Sequence, residues 1–349
     1  MKKNIIAMAV AAAVAAPAAA MADTTLYGKI HSSYDLMGGD TADNQDYSLS
    51  SNSSRLGVKG KEDISDNLSL IYQWETTLDF GDTGDGVGYG PRNTFVGFTG
   101  DSWGTLIAGR HDTPMKGVSR KYDLFGDTVG DSRAILRGKA FGNDWDMRTD
   151  NTVAYATPDL GGFSAMAAYV SDWEKDADGD YTGNNEFDAW SVSAGYEIAG
   201  FSIDGAWEQH NTDTSDQEAY RVGAGYKIGG FKVVGLYQNA DIGFDGNDYD
   251  AWGLGAAYSF GKSTVKAQYY MADDLSGAGN EDTGAELWAV GYDYKLSKQT
   301  SVYAAYGSMD ADSSGNYVLA KGTGHGEQPV LEADGTDSNA FSVGLVHKF

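Results

Sequence analysis

Trp190-Ser191-Val192-Ser193-Ala194-Gly195-Tyr196-Glu197-Ile198-Ala199-Gly200-Phe201-Ser202-Ile203-Asp204-Gly205-Ala206-Trp207-Glu208 is two runs of period two joined by two residues. Trp190, Val192, Ala194, Tyr196 and Ile198 share one face, and Ser191, Ser193, Gly195 and Glu197 the other. After Ala199-Gly200, Phe201, Ile203, Gly205 and Trp207 oppose Ser202, Asp204, Ala206 and Glu208. Side chains on a strand point alternately to its two faces, so this alternation marks strands lying between two different environments. The intervening Ala-Gly fits a tight turn.

The pattern recurs along the chain. Leu68, Leu70, Tyr72 and Trp74 alternate with Ser69, Gln73 and Glu75; Tyr220, Val222, Ala224, Tyr226 and Ile228 alternate with Arg221, Gly223, Gly225 and Lys227. Sixteen strands are predicted, at 24–36, 52–62, 67–79, 91–99, 104–110, 148–157, 161–171, 187–198, 201–210, 218–228, 231–240, 249–260, 262–272, 284–296, 300–309 and 338–349. An even number brings both ends of an up-and-down barrel to one side. The connections are alternately short (63–66, 101–103, 199–200, 229–230, 261, 297–299) and long (37–51, 80–90, 111–147, 172–186, 211–217, 241–248, 273–283, 310–337). Tight turns at one end and long loops at the other are the asymmetry of an outer-membrane barrel. In lipid every backbone group must be paired within the protein, so such a sheet must close. The expected fold is therefore all-β: a sixteen-stranded antiparallel transmembrane barrel, apolar outside and polar inside. Aromatics near the strand ends, such as Tyr27, Trp103, Phe163, Phe231 and Tyr294, suit the two membrane interfaces.

Residues 1–22 read as a secretory leader. Lys2 and Lys3 precede an Ala-rich apolar stretch, and Ala20-Met21-Ala22 fits small-residue cleavage. Residues 23–349 then form a single barrel domain. No later stretch reaches the ~20 apolar residues of a spanning helix, and the chain has no cysteine. Without the leader it carries 23 bases against 50 acids, a net charge of −27. Such a charge repels nucleic-acid phosphates and excludes that class of partner.

The excess charge lies in the long connections. Segments 37–51, 79–90, 172–186, 211–218, 241–250, 273–286 and 310–337 together carry −28. These acids solvate an outer surface, with loosely bound divalent cations bridging to anionic lipopolysaccharide as the sharper reading. The exception is 111–147, in which six acids balance six bases. At 37 residues it is far longer than an ordinary connection, so it is functional or disordered. Its Met115, Val118, Tyr122, Phe125, Ile135, Leu136 and Trp145 argue for a folded segment.

The last run ends Phe341-Ser342-Val343-Gly344-Leu345-Val346-His347-Lys348-Phe349, apolar at alternate positions up to a terminal Phe. That is the address read by outer-membrane assembly machinery. With Leu26-Tyr27-Gly28-Lys29, Ser54-Arg55-Leu56-Gly57-Val58-Lys59-Gly60, Phe95-Val96-Gly97-Phe98, Asp150-Asn151-Thr152-Val153-Ala154-Tyr155 and the Gly104–Arg110 strand, it makes the chain resemble the general porins of Gram-negative bacteria, of the neisserial and comamonad type. The resemblance spans the chain after the leader. It implies a sixteen-stranded barrel, a homotrimer, and a third loop, here about 111–147, folded inward as a constriction.

Seven of the eight arginines fall between 55 and 148. Arg55 and Arg148 oppose lipid-facing neighbours and should face the lumen. Strict parity puts Arg92 toward lipid, at ~2–4 kcal/mol at midplane, so a bulge or strand end is expected to return it inward. The family's row of constriction arginines sits at matching positions. Asp123, Asp127 and Asp131 recur every fourth residue, as along one face of a helical turn or bend. With Lys116, Arg120, Arg133 and Arg137 they complete the expected constriction set. The expected function is passive diffusion of small hydrophilic solutes and ions. A substrate-selective channel of the same fold, and a barrel-anchored enzyme or adhesin, are the alternatives. Against an enzyme or metal protein, the five histidines lack ligand spacing and no phosphate-binding loop is present. Asp176-Ala177-Asp178-Gly179-Asp180 opens like a calcium loop but continues with Tyr181 and Phe187 where Gly and Glu are required. No cofactor is implied.

Overall fold

In the computed structural model the described residues are 23–39, 47–81, 89–173, 187–212, 215–243, 247–277, 279–330, 333 and 335–349. The expected leader and the Asp176–Asp180 run lie outside them. Among the described residues the strands are β1 (Thr25–Gly39), β2 (Ser48–Ser51), β3 (Arg55–Ser65), β4 (Leu68–Thr77), β5 (Thr94–Gly100), β6 (Gly104–Asp112), β7 (Arg148–Ala156), β8 (Phe163–Val170), β9 (Ala189–Ile198), β10 (Phe201–His210), β11 (Gln217–Ile228), β12 (Phe231–Asp241), β13 (Asp248–Phe260), β14 (Ser263–Ala272), β15 (Ala285–Lys295), β16 (Thr300–Ala311) and β17 (Ser338–Lys348).

Neighbours in the chain pair antiparallel, and β17 closes the sheet on β1 from Lys29↔Lys348 to Gly39↔Ser338. Closure leaves no unpaired edge facing lipid. There Gly28 and Phe349 exchange backbone hydrogen bonds of 3.0 and 3.1 Å. β2 and β3 occupy one position in the barrel, since both pair with β1. The barrel thus has sixteen positions. The sequence reading has one run at 52–62 here; the wall instead uses 48–51 and 55–65, broken at Asn52–Ser54, where Ser53 is left-handed at φ 49°. Polar Ser-Asn-Ser-Ser gives no alternation to mark the break.

The two faces differ as the pleat requires. Trp190, Val192, Tyr196, Ile198, Phe201, Ile203, Leu254, Val343 and Leu345 are exposed on the outer face. Ser191, Glu208, Arg221, Gln238 and Gln268 are buried on the other. A continuous apolar band of this kind belongs in lipid. No helix among the described residues is long and apolar enough to cross a membrane.

Two long connections pack on the polar face. The first, between β6 and β7, holds helices α1 (Pro114–Tyr122) and α2 (Arg133–Leu136) and a 3-10 turn at Lys139–Phe141. Pro114 starts α1, where its missing N–H costs nothing. Arg120 and Lys121 lie in the last turn, facing the negative end of the helix dipole. Met115, Val118 and Tyr122, at helical spacing, are buried. Wall glycines make room for this segment. A Cβ on Gly223 would meet the Tyr122 ring at 2.2 Å, and one on Gly291 would meet Phe125 at 2.8 Å. The second connection, after β16, buries Tyr317, Val318, Leu319 and Ala320, of which Tyr317 and Leu319 join the same core. This corrects the expectation that 310–337 lies wholly in an outward acidic layer: Tyr317 and Leu319 join that core, and the Tyr317 ring lies 5.8 Å from Phe141.

Candidate functional site

The first connection is held to the wall by polar anchors at both ends. Arg221 of β11 is fully buried and donates to Asp146 at 2.6 Å, to the carbonyls of Met115 and Leu136, and to Gln238. Ser119 donates to Asp146 at 3.0 Å. On the far wall, Gln268 of β14 accepts from Leu124 N–H and donates to Asp123 and the Gly130 carbonyl. Tyr122 donates to Asp204 of β10 at 2.5 Å. A charged group buried this deeply persists only when paired and hydrogen-bonded, and Asp146–Arg221 satisfies both conditions.

Around this segment the carboxylates are shared. Glu75 meets Arg92 at 2.6 Å and Arg55 at 3.6 Å. Asp112 meets Lys116 at 2.9 Å and Arg148 at 3.0 Å. Asp144 meets Arg137 at 2.5 Å and Lys139 at 3.3 Å. Asp127 meets Lys29 at 2.8 Å, Arg133 at 3.1 Å and Arg120 at 3.5 Å, while Arg133 also holds Asp131 at 2.5 Å. Arg110 has Asp150 at 3.0 Å. Ten cations thus answer six carboxylates, an excess of four positive charges.

Two cavities flank this network. The one at the loop end is lined by Arg92, Arg110, Lys116, Arg133, Arg137, Lys139 and Arg148, with Asp144 as its carboxylate. The one at the turn end is lined by Lys29, Arg55, Lys266, Lys295, Lys298 and Lys348, with Asp127 and Asp293. Arg120 lines both, and its side chain is 36% exposed, the most open of the paired arginines. It stands where the two spaces meet.

The site residues read from the sequence are placed as follows. Arg92 and Arg148 border the loop-end cavity and Arg55 the turn-end cavity. Arg92 precedes β5, next to an isolated bridge between Thr76 and Pro91, so it escapes strand parity and turns to Glu75. Lys116, Arg120, Arg133 and Arg137 border the loop-end cavity. The three aspartates do not share a helical face. α1 ends at Tyr122, Asp123 is extended at φ −87° and ψ 128°, and Asp127 is left-handed at φ 62°. Asp131 Oδ2 accepts from the Asp127 N–H, so the run is a knot of turns. Asp127 and Asp131 are buried within it. Lys29, Arg110 and Lys139 belong to the network and were not singled out from sequence. Inward parity was a signal for Lys29 alone, since Leu26, Tyr34 and Leu36 mark the outer face of β1. Arg110 shares the parity of outward Leu106 and turns inward at the Gly109–His111 register shift, and Lys139 lies in the 3-10 turn, where no strand parity applies.

Ionisation follows placement. Burial and the charge of Asp131 push Asp123 up to about 7, although Phe125 N–H and Gln268 donate to its Oδ1; its Oδ2 has no partner. Burial alone would raise Asp127, but Lys29, Arg120 and Arg133 hold it well below the usual carboxylate range. Burial lowers Lys116 to about 8, against the pull of Asp112. Among the described residues no cluster of His, Cys, Asp or Glu could hold a metal ion.

Comparison with known proteins bears on this architecture. The family model described as Gram-negative porin matches residues 7–316. The chain belongs to the Gram-negative porin family. Outer membrane porin protein 32 of Delftia acidovorans is 30% identical to this porin, with the whole of each chain covered. The major outer membrane protein P.IB of Neisseria meningitidis serogroup A is 27% identical, again over the whole of both. Among solved structures, an anion-selective porin from Comamonas acidovorans aligns with a TM-score of 0.77 at 24% identity, covering 94% of this porin and 100% of that chain. The porin is thus an integral outer-membrane protein, and it forms a channel for passive diffusion of solutes. Proteins of the family are channels rather than enzymes.

Proposed function

We propose that this porin is a size-limited, anion-favouring diffusion channel whose narrow zone is built by the 113–147 segment, with Arg120 at the narrowest point. The observation that carries this is the network in which ten cations answer six carboxylates between the two cavities. Charge at the filter counts more than charge on the outer loops, because screening falls off over ~8 Å at physiological salt. Fixed cations in a low-dielectric wall raise the local concentration of anions. The acidic outer loops oppose this at the mouth, so the selectivity is modest. The anion selectivity named for the Comamonas structure agrees with this sign.

The site also includes Arg55, Arg92, Lys116, Arg133, Arg137 and Arg148 as the cationic lining, and Asp123, Asp127 and Asp131 as the acids that brace it. The chain works as a homotrimer, as a solved trimer form of Vibrio cholerae OmpT illustrates for the fold. Residues 1–22 are its export leader, Phe349 its assembly signal, and lipopolysaccharide its outer-leaflet neighbour. It needs no cofactor; loosely held divalent cations at the outer acids are the sole ions assigned to it. Reversal potential in a KCl gradient tests the selectivity: an anion-favouring sign is expected, and a cation-favouring sign removes the reading.

A further inference from the structure

The lining of the loop-end cavity holds two kinds of side chain: cationic Arg92, Arg110, Arg148 and Lys116, and aromatic or apolar Trp173, His210 and Met147. Trp173 and His210 belong to a stack of rings. Trp145, wholly buried, lies 4.7 Å from His210 at 25°, and Trp173 leans on the same imidazole at 5.3 Å and 42°. The stack is fixed. His210 bonds Glu208 at 2.9 Å, and Trp173 donates its indole N–H to the Asn211 carbonyl at 3.3 Å. Trp173 is the half-buried outer plate.

Small inorganic anions would use the cationic side chains alone. A chloride ion gains nothing from a tryptophan plate, and an aliphatic acid gains only contact area. A flat ring bearing a carboxylate uses both kinds at once, by stacking and by charge-assisted hydrogen bonds. Donors remain for it: the described contacts of Arg92 run through Nε and that of Arg110 through Nη1, which leaves terminal N–H groups on both. We infer that the loop-end cavity is a subsite for planar aromatic carboxylates, with the carboxylate toward Arg92, Arg110 and Arg148 and the ring against Trp173, which the buried His210 backs. This rests on the anion-favouring reading and adds a solute class to it. Diffusion stays passive: the subsite raises occupancy of one class of solute just outside the narrow zone.

The test compares two acids of nearly equal size in planar bilayers holding the purified porin. Benzoate and cyclohexanecarboxylate are added to the loop side, and the loss of chloride current is titrated. Benzoate is expected to halve the current at a concentration about fivefold lower, the gain from one ring stack. Trp173→Ala should bring the ratio close to one, and Trp173→Phe should keep most of it. Equal block by the two acids in the unaltered porin overturns the subsite, and that comparison needs no variant to fold. An unchanged ratio in Trp173→Ala overturns it as well. Reversal potential in the same membranes separates the two readings. An anion-favouring channel with equal block loses the subsite alone. A cation-favouring channel loses the selectivity, and a benzoate preference sensitive to Trp173 then still supports the subsite.

Discussion

Two connections leave the loop end of the barrel and pack on its polar face; both add apolar side chains to one core, and they differ in how much buried charge holds them. The segment between β6 and β7 is tied by charge: Arg221–Asp146, Arg133–Asp131 and Lys29–Asp127 are all buried ion pairs. The segment after β16 is tied chiefly by apolar burial and neutral hydrogen bonds, with a buried imidazole–carboxylate contact of His325 to Asp35 at 3.3 Å. Tyr317 sits edge-on to Phe141 at 5.8 Å, Leu319 N–H reaches Ser338, and Gly326 N–H reaches Asn52. The two touch where Arg137 donates to the Gly322 carbonyl. A charge-tied segment holds fixed cations beside the channel and can choose among ions. An apolar-tied one can only take up space. The difference predicts that the first governs selectivity and both govern width.

The hardest blow to the first segment is Arg221→Ala. It leaves the Asp146 carboxylate buried and unpaired, a loss of about 3–5 kcal/mol. Urea unfolding of the refolded barrel would register it, and a loss under about 1 kcal/mol would mean the pair is already solvated. For the second segment, Leu319→Ala opens a cavity worth about 2–4 kcal/mol. No charge is removed, so single-channel conductance should rise while reversal potential stays where it was. A shift in reversal potential would show that the apolar segment also sets selectivity.

A smaller effect concerns pH. Asp123 is raised to about 7 in the fold, against an ordinary carboxylate value of about 3.9 in the unfolded chain. The stabilisation of its neutral form is therefore complete below about pH 4 and is lost as pH rises through 7. Asp123→Asn keeps the side chain neutral throughout and should flatten that decline between pH 4 and 8. Urea midpoints measured at both ends of the range check it. An equal slope in the variant would place the titration elsewhere.

Much of the wall was legible because its information is local. Alternation places β10 at Phe201–His210, the limits read from the sequence, and most other strands within a residue or two. Lipid on one side and water on the other impose that alternation on each strand separately. The β2–β3 break was invisible because Asn52-Ser53-Ser54 is polar on both faces. The aspartate run misled because a four-residue spacing is silent about where the helix stops: α1 ends at Tyr122, and the backbone then turns at left-handed Asp127. The Trp173–His210–Trp145 stack joins residues far apart in sequence, which no periodicity links. The buried run Tyr317-Val318-Leu319-Ala320 did carry a signal, four apolar residues in an acidic loop, which summing charge over 310–337 conceals.

The contrast between the two segments turns finally on Arg120, which lines both cavities and is only loosely paired to Asp127. Reversal potential across a KCl gradient, measured for the unaltered porin and for Arg120→Ser, addresses it directly. The account predicts an anion-favouring potential that moves toward cation preference in the variant, by more than in Arg55→Ser or Arg148→Ser. A cation-favouring potential in the unaltered porin, or one that Arg120→Ser leaves unmoved, would contradict it.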